Sequence, residues 1–162
     1  MANNMEHFQR GQAYYNQQNY ELAIKELTEA IKLDPNAPNI APIYGLRGLA
    51  YSDKGDAYND KGDYDSAIAD FSKMLELYPN ALGYRKRGIV YMRIQDHDHA
   101  FEDYAAALRL DPNDVDTYLN RGILYGGKGD FKQATVDFEA VLRIDPNNYA
   151  ARDILEKIRQ AQ

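Results

Sequence analysis

The residues best equipped for chemistry in this chain fall in three places. Asp96-His97-Asp98-His99 puts two imidazoles and two carboxylates into four successive positions, a donor set able to chelate Zn²⁺ or Ni²⁺ weakly. Ligands one apart at a helix start diverge in direction, and an Asp there serves as a helix cap. A polar turn is therefore the reading of His97 and His99, with a weak metal site as the alternative. The acidic stretch from Asp53 to Asp65 invites comparison with a calcium loop. No register of it places Asp or Asn at alternate positions with Gly at the sixth and Glu at the twelfth, so its carboxylates read as caps and solvated turns. The third place is a spacing. Arg10, Arg87 and Arg121 have Glu26, Asp103 and Asp137 sixteen residues on, and Arg47 meets Asp70 once a seven-residue insertion is subtracted. A planar guanidinium meets a carboxylate bidentately, so these eight residues form a ladder of partly buried structural ion pairs. Such pairs set register more than they add stability, because desolvation offsets the attraction.

Catalytic signatures are missing. There is no Gly-rich phosphate loop, no His-Glu-x-x-His and no serine in a nucleophile-elbow context. The absence of cysteine excludes a disulfide framework, a Cys-ligated zinc site and thiol catalysis. The expectation is a non-enzyme without cofactor or resident metal. A formal net charge of -6 argues against nucleic acid or an anionic membrane as partner, since both reward clustered Lys and Arg. No apolar run reaches the roughly 18 residues of a membrane span. Nor does Met1 to Phe8 show the basic-then-apolar order of a secretory signal. A soluble cytoplasmic protein is expected, though a leader already removed would leave no trace.

The elements that carry these residues repeat. Leu33-Asp34-Pro35-Asn36, Leu77-Tyr78-Pro79-Asn80, Leu110-Asp111-Pro112-Asn113 and Ile144-Asp145-Pro146-Asn147 are one phrase, its prolines 44, 33 and 34 residues apart. Ahead of each lies an Ala with a large apolar residue four later: Ala23 and Leu27, Ala67 and Phe71, Ala100 and Tyr104, Ala134 and Phe138. Further upstream Tyr-x-x-Arg-Gly-x-x-Tyr recurs at Tyr44, Tyr84 and Tyr118, with a looser copy at His7, Arg10, Gly11 and Tyr14. The i, i+3, i+4, i+7 spacing marks one face of a helix. Lys61-Gly62-Asp63 and Lys128-Gly129-Asp130 then read as a helix end followed by an Asp cap. Two helices per repeat and no strands make an α-solenoid.

This pattern resembles the tetratricopeptide-repeat family over residues 4–148. The resemblance implies an all-α, right-handed solenoid of four helix-turn-helix repeats plus a C-terminal capping helix, in a single domain of residues 1–162. The repeats run over about 4–37, 38–80, 81–114 and 115–148. The cap, about 149–160, carries Ile154, Leu155 and Ile158 on one face. The second repeat is ten residues too long: three around Pro38-Asn39-Ile40, and seven in the echo of Tyr51-Ser-Asp-Lys-Gly-Asp-Ala by Tyr58-Asn-Asp-Lys-Gly-Asp-Tyr. Seven residues rotate a helix by only about 20°. The first helix of that repeat should thus be about 10 Å longer and in phase, with a kink at Gly55 as the competing outcome.

Family geometry implies a concave groove lined by the first helices. It would present Phe8, Gln12, Tyr15, Leu46, Leu49, Arg85, Lys86, Ile89, Met92, Arg93, Leu119, Asn120 and Ile123. Apolar groups flanked by three cations suit an acidic peptide or partner protein, with Arg85, Lys86 and Arg93 positioning it. One sub-family clamps the acidic tail of heat-shock chaperones. At its positions this chain has Phe8, Gln12, Leu46, Leu82 and Lys86, of which only Lys86 fits, so that partner is disfavoured. The expected function is a protein-interaction scaffold, with self-association into a homo-oligomer as the alternative.

Overall fold

A computed structural model describes residues 3–58 and 61–160. Nine helices and no strand lie among the described residues. They form four antiparallel hairpins: α1 (Asn4–Asn16) with α2 (Tyr20–Leu33), α3 (Ile40–Tyr58) with α4 (Lys61–Leu77), α5 (Ala81–Arg93) with α6 (His97–Leu110), and α7 (Val115–Gly127) with α8 (Phe131–Ile144). A ninth helix, α9 (Tyr149–Gln160), follows. The architecture is an all-α helical-repeat solenoid.

Helix ends follow from side chains that satisfy orphan backbone donors. Asn3, Asn19, Asn80, Asp96 and Asp130 each accept a hydrogen bond from the backbone N–H three residues on. After Leu33, Leu110 and Ile144 the next Asp accepts from Asn36, Asn113 and Asn147, folding the loop over proline. The reversal inside a hairpin needs one left-handed residue. Gly129 supplies it at φ +79°, but Gln18 and Gln95 do so at +59° and +64°, against their preference.

Within each hairpin the core is small residue against large. A Cβ on Gly88 would lie 2.9 Å from Cε1 of Tyr104, and one on Gly122 3.0 Å from Cε1 of Phe138, so these glycines let the helices touch. Leu27, Phe71, Tyr104 and Phe138 are each essentially buried. At the matching position α9 carries exposed Glu156. Its apolar face, Ala151 and Leu155 with Ile154 and Ile158, packs on Ala134, Phe138 and Val141.

The second repeat differs from the sequence reading in one detail. α3 has 19 residues where α1, α5 and α7 have 13, an extension of about 9 Å, and it runs through Gly55 without a break. Tyr64 of α4 fills the space that a side chain on Gly55 would occupy. The following helix begins at Lys61, so Asp63 stands in its first turn and not ahead of it as a cap. There the helix dipole favours a carboxylate, and Lys54 pairs with it at 3.1 Å. Asn59 and Asp60 of the echoed segment lie outside the described residues.

Candidate functional site

The arginine spacing brings all four pairs together. Arg47 donates from Nε and Nη2 to Asp70 at 2.7 and 2.8 Å, Arg87 to Asp103 at 2.8 and 2.7 Å, and Arg121 to Asp137 at 2.8 and 2.7 Å. Arg10 makes one such bond, to Glu26 at 2.8 Å, because His7 stands at the Tyr position and shares the same carboxylate. Tyrosine rings flank the guanidinium groups of Arg47, Arg87 and Arg121 at 5.6–6.0 Å from their centroids, a cation–π arrangement. The hydrogen bond to Asp103 raises the pKa of Arg87, and that to Asp137 raises that of Arg121. Burial pushes the Asp70 carboxyl up, and Arg47 only partly opposes it.

A third contact of the arginines was not visible in the sequence. Arg47 Nη1 donates to Thr28 Oγ1 and Arg87 Nη1 to Ser72 Oγ, both at 2.9 Å. Thr28 and Ser72 belong to the preceding repeat, so each arginine ties three helices together. At the equivalent position before Arg121 the residue is Ala105.

Three carboxylates of the acidic stretch, Asp53, Asp56 and Asp63, are paired within the chain. Tyr15 donates to Asp53 at 2.6 Å, and burial followed by that acceptor pushes its hydroxyl pKa up. Tyr64 donates to Asp56 at 2.8 Å, and Arg93 Nε lies 3.1 Å from the same carboxylate. At the other sequence candidate, Asp96 caps α6 and its Oδ2 lies 2.7 Å from His99 Nδ1, while the His99 ring stacks on Tyr91 at 4.9 Å. Among the described residues no group of three or more His, Cys, Asp or Glu is placed to hold a metal ion.

Successive first helices, α1–α3, α3–α5 and α5–α7, contact one another, whereas among the described residues α2, α4, α6 and α8 make no comparable contacts among themselves. The array therefore curves with the first helices on its inner wall. On that wall a cleft of about 280 Å³ opens between α1, α3 and α5. Phe8 and Gln12 come from α1, Leu46 and Leu49 from α3, and Leu82 and Lys86 from α5, with Phe71 and Met74 of α4 beneath. Of the residues expected in the groove, Phe8, Gln12, Leu46, Leu49 and Lys86 meet here. Tyr15 is tied to α3 instead. Ile89 and Met92 pack against Ala100, Tyr104 and Leu124, Leu119 lies against the α8–α9 core, Asn120 is half-buried on α7 and Ile123 is half exposed.

The three expected cations separate. Arg85 reaches Asp114 at 3.0 Å and Asp116 at 2.8 Å, and Arg93 is held by Asp56. Both are neutralised by the chain's own carboxylates. Lys86 makes no hydrogen bond or ion pair among the described residues. Sequence reasoning missed Pro42, Gly45, Met74 and Gly83, which shape the cleft. The available signal was that Gly45 breaks the pattern of its sister repeats, which carry Arg85 and Leu119 there.

Stacked two-helix repeats with a curved inner wall define a helical-repeat protein of the interaction-module class. Three models described as tetratricopeptide repeat match residues 5–37, 41–80 and 87–161, and the chain belongs to the tetratricopeptide repeat family. Among solved structures, a tetratricopeptide repeat protein from Parabacteroides merdae superposes with TM-score 0.85 at 20% identity. The match covers 98% of this chain and 60% of that one, so the chain spans less than two thirds of that relative. MamA matches at TM-score 0.78 and 26% identity over 89% of this chain and 79% of its own. The first such domain of Spaghetti (RPAP3), solved bound to the HSP90 peptide SRMEEVD, matches at TM-score 0.59 and 30% identity over 72% and 94%. Among curated proteins no sequence match is found. No helix among the described residues is long and apolar enough to cross a membrane.

Proposed function

We propose that the chain is a non-catalytic scaffold, acting as one unit over residues 1–162, that holds an extended peptide or a segment of a partner protein against its inner wall. The observation that carries this reading is the cleft between α1, α3 and α5. It offers apolar walls to solvent and, in a chain of net charge -6, carries Lys86 uncommitted at its edge. Solvated helix faces are ordinarily polar, and an apolar recess with a convergent polar group is the usual form of a binding site. The peptide complex of the Spaghetti domain supports the mode of binding. It does not extend to the same ligand, because Phe8, Leu46 and Leu82 put apolar side chains where an acidic chaperone tail needs polar groups.

Display of a random peptide library on the purified protein tests the reading. Selected peptides should bind wild type and the outer-face variant Val136→Glu, and should lose binding to Leu49→Glu and Lys86→Glu. Peptides that bind all four proteins alike would move the site off the inner wall. A second reading, self-association, has its own observation: Leu33, Leu77, Leu110 and Ile144 are all exposed at the same position of successive repeats, forming an apolar row on one edge. Sedimentation of wild type against a Leu77→Glu, Leu110→Glu variant decides it, a dimer that dissociates in the variant being the supporting result. A cytoplasmic setting, checked by cell fractionation, belongs to the same proposal.

A further inference from the structure

The inner wall is not uniform, and the difference can be traced to single positions. Gly45 of α3 is matched in the next two repeats by Arg85 of α5 and Leu119 of α7. At the junction of α5 with α7 the Arg85 side chain reaches across to Asp114 and Asp116. At the junction of α3 with α5 no side chain from the matching position reaches across. Gly45 has no side chain, and Gly83 faces it from α5, the two separated by Met74. A Cβ on Gly45 would meet Met74 Sδ at 2.6 Å, and one on Gly83 would meet Met74 Cε. The floor of the open crevice is thus an unbranched, polarizable thioether, the side chain best able to reshape around what enters.

Size and charge restrict the occupant. About 280 Å³ lies just below the range of cofactor and small-molecule sites, roughly 300–1,000 Å³, and suits one large side chain. The lining residues include one cation, Lys86, and no carboxylate. Any charge that settles beside the apolar side chain is therefore negative.

We propose that this crevice is an anchor pocket selecting a peptide in which a large apolar residue, such as leucine or methionine, is followed directly by an acidic residue. The apolar side chain inserts over Met74 between α3 and α5, and the carboxylate pairs with Lys86. This deepens the reading of the inner wall as a peptide seat and rests on it. A second copy of the chain, whose exposed Leu33-Asp34 and Leu110-Asp111 have the same chemistry, is the competing occupant. Concentration-dependent self-association in the absence of peptide would favour it and overturn the proposal.

The test is a titration of the intact chain, labelled at its methionine methyl groups for NMR, with blocked tetrapeptides Ser-Leu-Glu-Ser, Ser-Ala-Glu-Ser and Ser-Leu-Gln-Ser. The proposal expects the Met74 methyl signal to shift saturably with Ser-Leu-Glu-Ser. Affinity should fall about tenfold on changing Leu to Ala, as for an apolar group lost from a pocket, and about threefold on changing Glu to Gln. Lys86→Gln should abolish the Glu preference alone, and Gly45→Leu, which copies the residue of α7, should abolish the Leu preference. If the peptides move the Met92 signal and not that of Met74, the inner wall binds peptide but the pocket is refuted. Should no peptide move either methyl, both readings fall. Equal affinity for the Leu and Ala peptides also overturns the anchor.

Discussion

Replacing Arg87 by Leu tests whether the arginine rungs are coupled units or decorations. In the native fold Asp103 is 4% exposed and receives two charge-assisted hydrogen bonds from Arg87. Arg87→Leu leaves that carboxylate buried without a counter-charge, a loss of about 3 kcal/mol or more. Asp103→Ala costs less, about 2 kcal/mol, because the guanidinium keeps Ser72 and two tyrosine faces and its side chain is 19% exposed to water. Removing both partners eliminates the stranded charge and leaves a packing loss of roughly 1 kcal/mol, so the double variant should be more stable than either single one. At about 2–4 °C per kcal/mol for a chain of this size, Arg87→Leu should lower Tm by roughly 6–12 °C. The double variant should recover most of that. Thermal and urea unfolding followed by far-ultraviolet circular dichroism reads all four corners of the cycle. The reasoning fails if Arg87→Leu stays within about 1 kcal/mol of wild type, or if the double variant loses the sum of the single losses.

Four other outcomes are expected. Ala105→Ser should give Arg121 the hydroxyl that Arg47 and Arg87 already have, raising urea stability by about 0.5–1 kcal/mol, whereas Ser72→Ala should lose a similar amount. Tyr104→Phe should leave stability unchanged or raise it by up to about 1 kcal/mol in thermal melts, since the buried hydroxyl has no partner among the described residues and Phe71 and Phe138 fill the same position. Gln95→Gly should relieve the left-handed backbone at φ +64° and raise urea stability by about 0.5 kcal/mol after its cost in unfolded-chain entropy. In an NMR pH titration His99 should titrate above the usual 6.5, because Asp96 hydrogen-bonds to it and attracts its charge, and Asp96→Ala should bring it back. The sign follows from a raised folded-state pKa: the small stabilisation is complete below 6.5 and fades as pH rises through the higher value.

The repeat and both helices of each hairpin were legible because close packing demands the same small and large residues at every copy, and proline marks every exit. The four arginine–carboxylate pairs were legible for a related reason, since a fixed separation places both partners on facing helices. Lys61-Gly62-Asp63 misled because its twin Lys128-Gly129-Asp130 does form the turn. The contacts of Asp63 with Lys54 and of Tyr64 with Gly55 distinguish the two, and both are tertiary. The fate of the groove cations was hidden in the same way. Whether Arg85 and Arg93 face a ligand or Asp114, Asp116 and Asp56 depends on how neighbouring repeats lie, which no single repeat encodes. The cleft itself came from an absence, a glycine where sister repeats carry long side chains, and periodicity draws the eye to what recurs.

The exposed Glu156 of α9 has a consequence for how such an array can change in length. Every other first helix offers a glycine on which a second helix can seat; α9 offers a charged side chain, and burying it under a new helix without a partner is strongly unfavourable. A helix added after α9 would have to bring a cation for Glu156, whereas a hairpin seated on Gly11, Gly48, Gly88 or Gly122 needs none.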